Sequence, residues 1–367
     1  MIRFGLIERY VVARMLAAVA ATLAIITAVI LLVQFVDLSR SVGSRADVSV
    51  GQLFMLTVLR TPALMLVLLP FVFLFGGIAA FVGLNRKSEL VVMRAAGVSA
   101  WRFILPSAAT AFVIGVVTFS ALNPLASMLS SQFEVMRAEI MESYLSWAPK
   151  EAWLRQGDDR TQIVIHAKQR SVKDGAVRLR AVSLFIYQKD ASGQLAFKRR
   201  LEADEARLEP GFWRLTRVRE ATAGEGSVRS DSLSIRSTLD AESALARFAA
   251  PESIPFWRLP QAIRTTEQAG FSADRYRLRF QQLLATPVLF AGMTILAAAF
   301  SLRLARLGGL ASLAGAGVAL GFLFFFLNEF AGALAAADII PLVAAAWAPP
   351  LVALLSGLTL LCYTEDG

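Results

Sequence analysis

His166 and Cys362 are the chain's single histidine and single cysteine, and they stand far apart. A disulfide needs a second thiol, so a disulfide framework is excluded, and a Cys/His zinc site, which needs three or four such ligands, and a histidine-based triad are disfavoured. Nucleotide hydrolysis on a P-loop needs G-x-x-x-x-G-K-[ST], and no Gly-Lys pair occurs, so ATP is not hydrolysed here by that route. Glu329 and Asp338 flank the outer end of an apolar run. Acids inside a membrane invite proton coupling, but no basic partner or broken-helix pair accompanies these two, and a hydrated interfacial position suits them. Gln34, Asp37 and Arg40, then Arg60, then Arg137 lie near the ends of apolar runs and are candidates for the polar rim of a cavity. The same positions suit arginines that snorkel to lipid headgroups.

The elements that carry these residues are membrane helices. The chain has 367 residues, 56% of them hydrophobic and 18% charged, with apolar runs that match a hydrocarbon core of about 30 Å. Six spans are predicted at residues 14–36, 58–84, 103–122, 281–302, 308–330 and 340–363. Arg3, Arg9 and Arg14 precede the first span. Arg86, Lys87, Arg94 and Arg102 fill the link after the second, and Arg303 and Arg306 that after the fourth. By the positive-inside rule these links and both termini are cytoplasmic, which puts the long polar insert outside. The net charge of +9 is dispersed, without the aromatic-spaced basic stripe of a nucleic-acid binder.

The organisation is therefore 1–122 for three spans, 123–280 for the insert with its connecting segments, and 281–367 for three more spans. Within the insert TQIVIHAK, VRLRAVSLFIYQ, FWRLTRV and SLSIRS alternate apolar and polar residues between turn signals. That pattern predicts short strands in a sandwich, jelly roll or other all-β domain, and an α+β membrane protein as a whole. RLPQAIRTTEQAGFSADRYRL after them reads as a short surface helix leading to the fourth span.

Glu89 belongs to SELVVMRAAGVS, which reads as a short helix between the second and third spans. Ser88 is placed as its N-cap and Gly97 as its C′ residue, with Glu89 and Arg94 suited to the helix dipole. Two turns do not stand alone in water, so Leu90, Val91 and Met93 must pack on something: the membrane surface, or a groove on a cytoplasmic protein. In the fifth span Phe322, Phe324, Phe325, Phe326 and Leu327 are candidates to line a cavity, though consecutive positions point in different directions. Gly317 and Gly321 form G-x-x-x-G, which permits close backbone approach for a gate or for ordinary packing.

SELVVMRAAGVS also resembles the coupling-helix motif of the lipopolysaccharide export permeases, the LptF/LptG family. The likeness continues in ERYV, FVDLSRS, P-x7-P (Pro62, Pro70), MRAEIM, W-x-L-x-x-V (Trp213, Leu215, Val218), AGFSADRYRLRF and GFLFFFLNEFAG. FVD and the SELVVM form favour the LptG-like subunit. The resemblance implies six spans interrupted after the third by a periplasmic β-jelly-roll. It implies a coupling helix at about 88–97 that docks on a cytoplasmic LptB-like ATPase dimer, with Glu89 facing basic residues there. It further implies an LptF-like paralogous permease, a single-span LptC-like periplasmic partner, and lipopolysaccharide as substrate, for whose cavity Phe325 and Phe326 are the candidates taken from the fifth span. On this reading the chain is a non-catalytic subunit of the inner membrane with no cofactor of its own, ATP and Mg being used by the partner. LptG-type members often carry a basic residue where this chain has Gln34, and another where it has Ala63. The alternatives are a proton-coupled lipid carrier and a membrane assembly factor.

Overall fold

Only a helix or a closed barrel satisfies its own backbone in hydrocarbon, and runs this long and apolar fold as helices. The computed structural model describes residues 5–41, 48–142, 152–157, 161–173, 176–189, 195–209, 211–222, 226–237, 253–268, 272–304 and 310–365. Among them, six helices are long and apolar enough to cross a membrane. α1 is Leu6–Ser41 and α2 is Val50–Arg86, with the short α3 at Glu89–Ala95. The third crossing is composite: α4 (Ala100–Val117), a π-helical turn (Thr118–Leu122) and α5 (Asn123–Glu142). After the insert come a 3₁₀ turn (Phe256–Arg258), α6 (Leu259–Gln268), α7 (Asp274–Leu304), α8 (Leu310–Ala336) and α9 (Leu342–Glu365). The helices overrun most of the predicted spans because a helix does not stop where hydrocarbon ends. α2, for example, begins at a capping box in which Ser49 Oγ accepts from Gln52 N–H at 3.2 Å and Gln52 Oε1 accepts from Ser49 N–H at 3.0 Å.

α7 is the hub of the helical unit, packing on α2, α4 and α9, while α1 lies on α2 and α4. Phe73 of α2 stacks on Phe290 of α7 with centroids 4.6 Å apart in the centre of the main apolar cluster. Close helix contacts are made by glycines that the sequence reading did not single out. A Cβ on Gly115 of α4 would stand 2.5 Å from Pro287 Cα of α7, and one on Gly292 of α7 would stand 2.8 Å from the Leu354 backbone nitrogen of α9.

The insert is a unit of its own. Its described strands are β1 (Ala152–Gly157), β2 (Thr161–Lys173), β3 (Ala176–Lys189), β4 (Leu195–Glu209), β5 (Phe212–Thr222) and β6 (Val228–Arg236). They form one antiparallel sheet in sequence order, so the strands described here are joined as a meander. A crease crosses it. Lys168, Ala181, Asp204, Arg217 and Asp231 drop out of successive ladders in a single row, and Ala181 (φ 49°) and Arg217 (φ 52°) are left-handed there. An unpaired residue in a strand reverses which parity faces inward. Thus Val177 and Leu179 point inward before the crease in β3, and Val182, Leu184 and Ile186 after it. The W-x-L-x-x-V spacing has the same origin: Trp213, Leu215 and Val218 are all buried, and the extra residue between the last two spans Arg217.

Bent at the crease, the sheet brings its distant ends together. Gln156 of β1 donates to the Arg236 carbonyl at the end of β6 (3.2 Å) and accepts from Trp213 Nε1–H (3.2 Å) and the Ser237 hydroxyl (2.9 Å). Folded in this way, one sheet supplies both sides of a single apolar core.

Candidate functional sites at the two ends of the helical unit

The start of α1, the link carrying α3 and the end of α9 meet at one end. Glu8 of α1, 6% exposed, accepts from Arg102 Nε–H at the start of α4 at 2.7 Å. Arg94 of α3 donates from Nη2 to the Thr364 carbonyl near the end of α9 at 3.5 Å. Gly97 (φ 80°) stops α3 as expected, in a Schellman arrangement: Val98 N–H bonds the Met93 carbonyl and Gly97 N–H the Arg94 carbonyl. Ser88 requires a correction. It precedes α3, but its left-handed backbone (φ 61°) makes no side-chain cap, and its N–H instead bonds the Asn85 carbonyl at the end of α2 (2.8 Å).

The apolar residues of α3 divide into two faces. Leu90 is 1% exposed and packs with Phe81, Phe103 and Ile104, and Met93 lies against the same cluster, so both are anchored in this chain itself. Val91 (57%) and Val92 (65%) are exposed. Beside them Arg86 and Lys87 are also exposed. Glu89 is half-buried, with Oε2 shielded and without a hydrogen-bond partner among the described residues, and Arg14 of α1 lies within its electrostatic reach.

At the opposite end the structure brings together two of the five rim candidates. Arg60 of α2 and Arg137 of α5 both lie over the ring of Phe133, 5.4 and 5.9 Å from its centroid to the guanidinium carbon. Phe133 is buried with Leu38 of α1 and with Leu53, Leu56 and Leu59 of α2. Gln34 lies one turn before Leu38 on the same side of α1, half-buried, with Oε1 shielded and without a hydrogen-bond partner among the described residues. Asp37 and Arg40 are exposed on α1. Arg137 Nε is likewise shielded and unbonded among the described residues. Two cations on one ring gain cation–π attraction but repel each other, and an anion placed between them would relieve that repulsion.

On α8 the phenylalanines divide as their spacing requires. Phe324 is buried, while Phe322, Phe325 and Phe326 are exposed. At Gly317 and Gly321 of α8 what lies nearest within the chain is side chain, Ile78 Cδ1 at 3.0 Å and Phe75 Cζ at 3.1 Å, both from α2. Glu329 is exposed, and Asp338 (φ 55°) is the left-handed residue that closes α8, its N–H on the Ala335 carbonyl and that of Ile339 on the Leu334 carbonyl. His166 stacks on Trp153 across β1 and β2 with centroids 4.2 Å apart.

A family model described as lipopolysaccharide export system permease LptF/LptG matches residues 9–363. The chain belongs to that family. It is 24% identical over 358 residues to the lipopolysaccharide export system permease protein LptG of Escherichia coli K12, covering 94% of this chain and 95% of the relative. The LptG protein of Haemophilus influenzae is similar to the same degree, 24% over 369 residues with the same coverage. With six apolar helices, this LptF/LptG member is a multi-pass membrane protein, and its likeness to LptG agrees with the subunit favoured by FVD and SELVVM. Sequence reasoning missed Phe133, the residue that gathers Arg60 and Arg137 in this LptF/LptG chain. The available signal was its spacing: Phe133 and Arg137 are four apart, one helical turn.

Proposed function

We propose that this chain is an LptG-like transmembrane subunit of an ATP-driven exporter that extracts lipopolysaccharide from the bacterial inner membrane and passes it to a periplasmic bridge. An LptF-like permease would complete the cavity, an LptB-like ATPase dimer with its ATP and Mg would drive it, and a single-span LptC-like protein would stand beside α1. The termini and α3 are then cytoplasmic and the insert periplasmic, in keeping with Arg9, Arg14, Arg86, Lys87, Arg94 and Arg102 at one end.

The observation that carries this reading is the construction of α3. Its inner face is fixed by Leu90, Met93 and Arg94, while Val91 and Val92 stand outward. A helix rooted in the bundle with an exposed apolar face is a lever rather than a loose loop. Closure of the ATPase around that face would move the starts of α1 and α4 together, because Glu8 and Arg102 join them. At the opposite end Arg60 and Arg137 supply the cationic rim for lipid phosphates. Arg40, exposed where Gln34 and Ala63 lack charge, adds to that rim.

The test is photocrosslinking to lipopolysaccharide from a probe placed at Met136, beside Arg137. Arg60→Glu with Arg137→Glu should reduce the adduct about tenfold or more, since two attractive phosphate contacts become repulsive. An adduct of undiminished yield would assign both arginines to headgroup snorkelling instead.

A further inference from the structure

We infer that Asn123, Pro124 and Trp257 form a clasp that positions the segment by which the chain returns from the insert, and that the clasp carries movement of the third crossing to that segment. The inference rests on the transport reading above. Pro124 has no N–H, so the Ser120 carbonyl one turn earlier lacks its α-helical donor. Around it the helix widens into the π turn, with Asn123 N–H bonded to the Thr118 carbonyl. The indole of Trp257 meets the open position: its Nε1–H donates to the Ser120 carbonyl at 2.9 Å. Trp257 is 65% exposed, and where hydrocarbon surrounds this turn a carbonyl without a partner would be costly, which would hold the indole at the vacancy in the helix.

Two further contacts fasten the same segment. Asn123, 1% exposed, accepts the Phe256 N–H on Oδ1 at 2.9 Å. The ring of Phe256 packs against Phe119 of the π turn (4.8 Å) and stacks on Phe280 of α7 (5.1 Å, 8° between planes). The third crossing, from which the insert departs, and α7, to which the chain returns, are therefore joined through one strap. π turns are rare in helices and recur at functional positions, and a π turn has the ordinary α register as its alternative state. A shift of α4 against α7 would draw the strap with it.

The experiment uses the full chain reconstituted in vesicles with its ATPase and permease partners, reading lipopolysaccharide transfer, ATP hydrolysis and thermal stability. Trp257→Phe keeps a ring and removes the donor. Transfer per ATP should fall about threefold to tenfold, a typical range for a broken coupling contact. Adding Pro124→Ala supplies the missing N–H to Ser120, so the double variant should regain stability while transfer stays low. Transfer that recovers together with stability, or that is untouched in Trp257→Phe, would show the strap to be structural alone and overturn the inference. The unaltered chain run in parallel separates the two claims: if it too gives no ATP-dependent transfer, the transport reading fails and not merely the clasp.

Discussion

Replacing Glu89 with lysine should abolish ATP-coupled release of lipopolysaccharide from reconstituted vesicles and weaken retention of the ATPase. The half-buried carboxylate has Arg14 as its neighbour inside the chain, and its Oε2 has no hydrogen-bond partner among the described residues. Reversal sets a cation beside Arg14 and removes a carboxylate from the first turn of α3, where the helix dipole favours negative charge. If Glu89 also faces a basic residue of the ATPase, the loss at that interface is about 2 kcal/mol or more, roughly thirtyfold in affinity. Glu89→Gln, which keeps size and removes charge, should fall between the two. Normal release with normal retention of the ATPase in Glu89→Lys would remove α3 from the coupling path.

Gly115→Val should be the most destabilising single substitution in the bundle. The new Cβ would lie 2.5 Å from Pro287 Cα and 3.0 Å from Pro287 N, both of them backbone atoms that cannot rotate aside. α4 and α7 would have to separate, and overpacking of a core costs about 3 kcal/mol or more in such cases. The yield of folded protein extracted from membranes, together with its melting temperature, reads the effect. Gly332→Val is the control, since nothing lies within 4 Å of a Cβ there and little change is expected. Equal melting temperatures for the two variants would mean that the Gly115 contact does not hold the helices.

The sequence made the helices legible because a run long enough to cross a bilayer has few other folds open to it. Strands β2, β3, β5 and β6 were legible from alternation. β4 was not: KRRLEADEARLE carries opposite charges three and four residues apart, a helical pattern, and its inward residues Leu201, Ala203, Ala206 and Leu208 break period two at the crease. The crease itself is a property of five strands in register and leaves in each only one residue out of step. Of the site, Gly97 was readable from its type, whereas the left-handed backbone of Ser88 follows from how α2 ends. The division of α3 into an anchored face and an exposed one depended on neighbours outside its two turns, from α2 and α4 and, far off in sequence, from α1, α7 and α9. Arg60 and Arg137 were each found separately, near the ends of apolar runs. Their meeting on Phe133 required the packing of α5 on α2, which no local pattern encodes.

The most direct test of the central claim places a short photoreactive side chain at Val92, on the exposed face of α3, and irradiates intact membranes. The expected result is a covalent adduct with a cytoplasmic ATPase subunit, lost when that subunit is depleted. Adducts with phospholipid alone, unchanged by depletion, would place α3 on the bilayer surface and contradict the account.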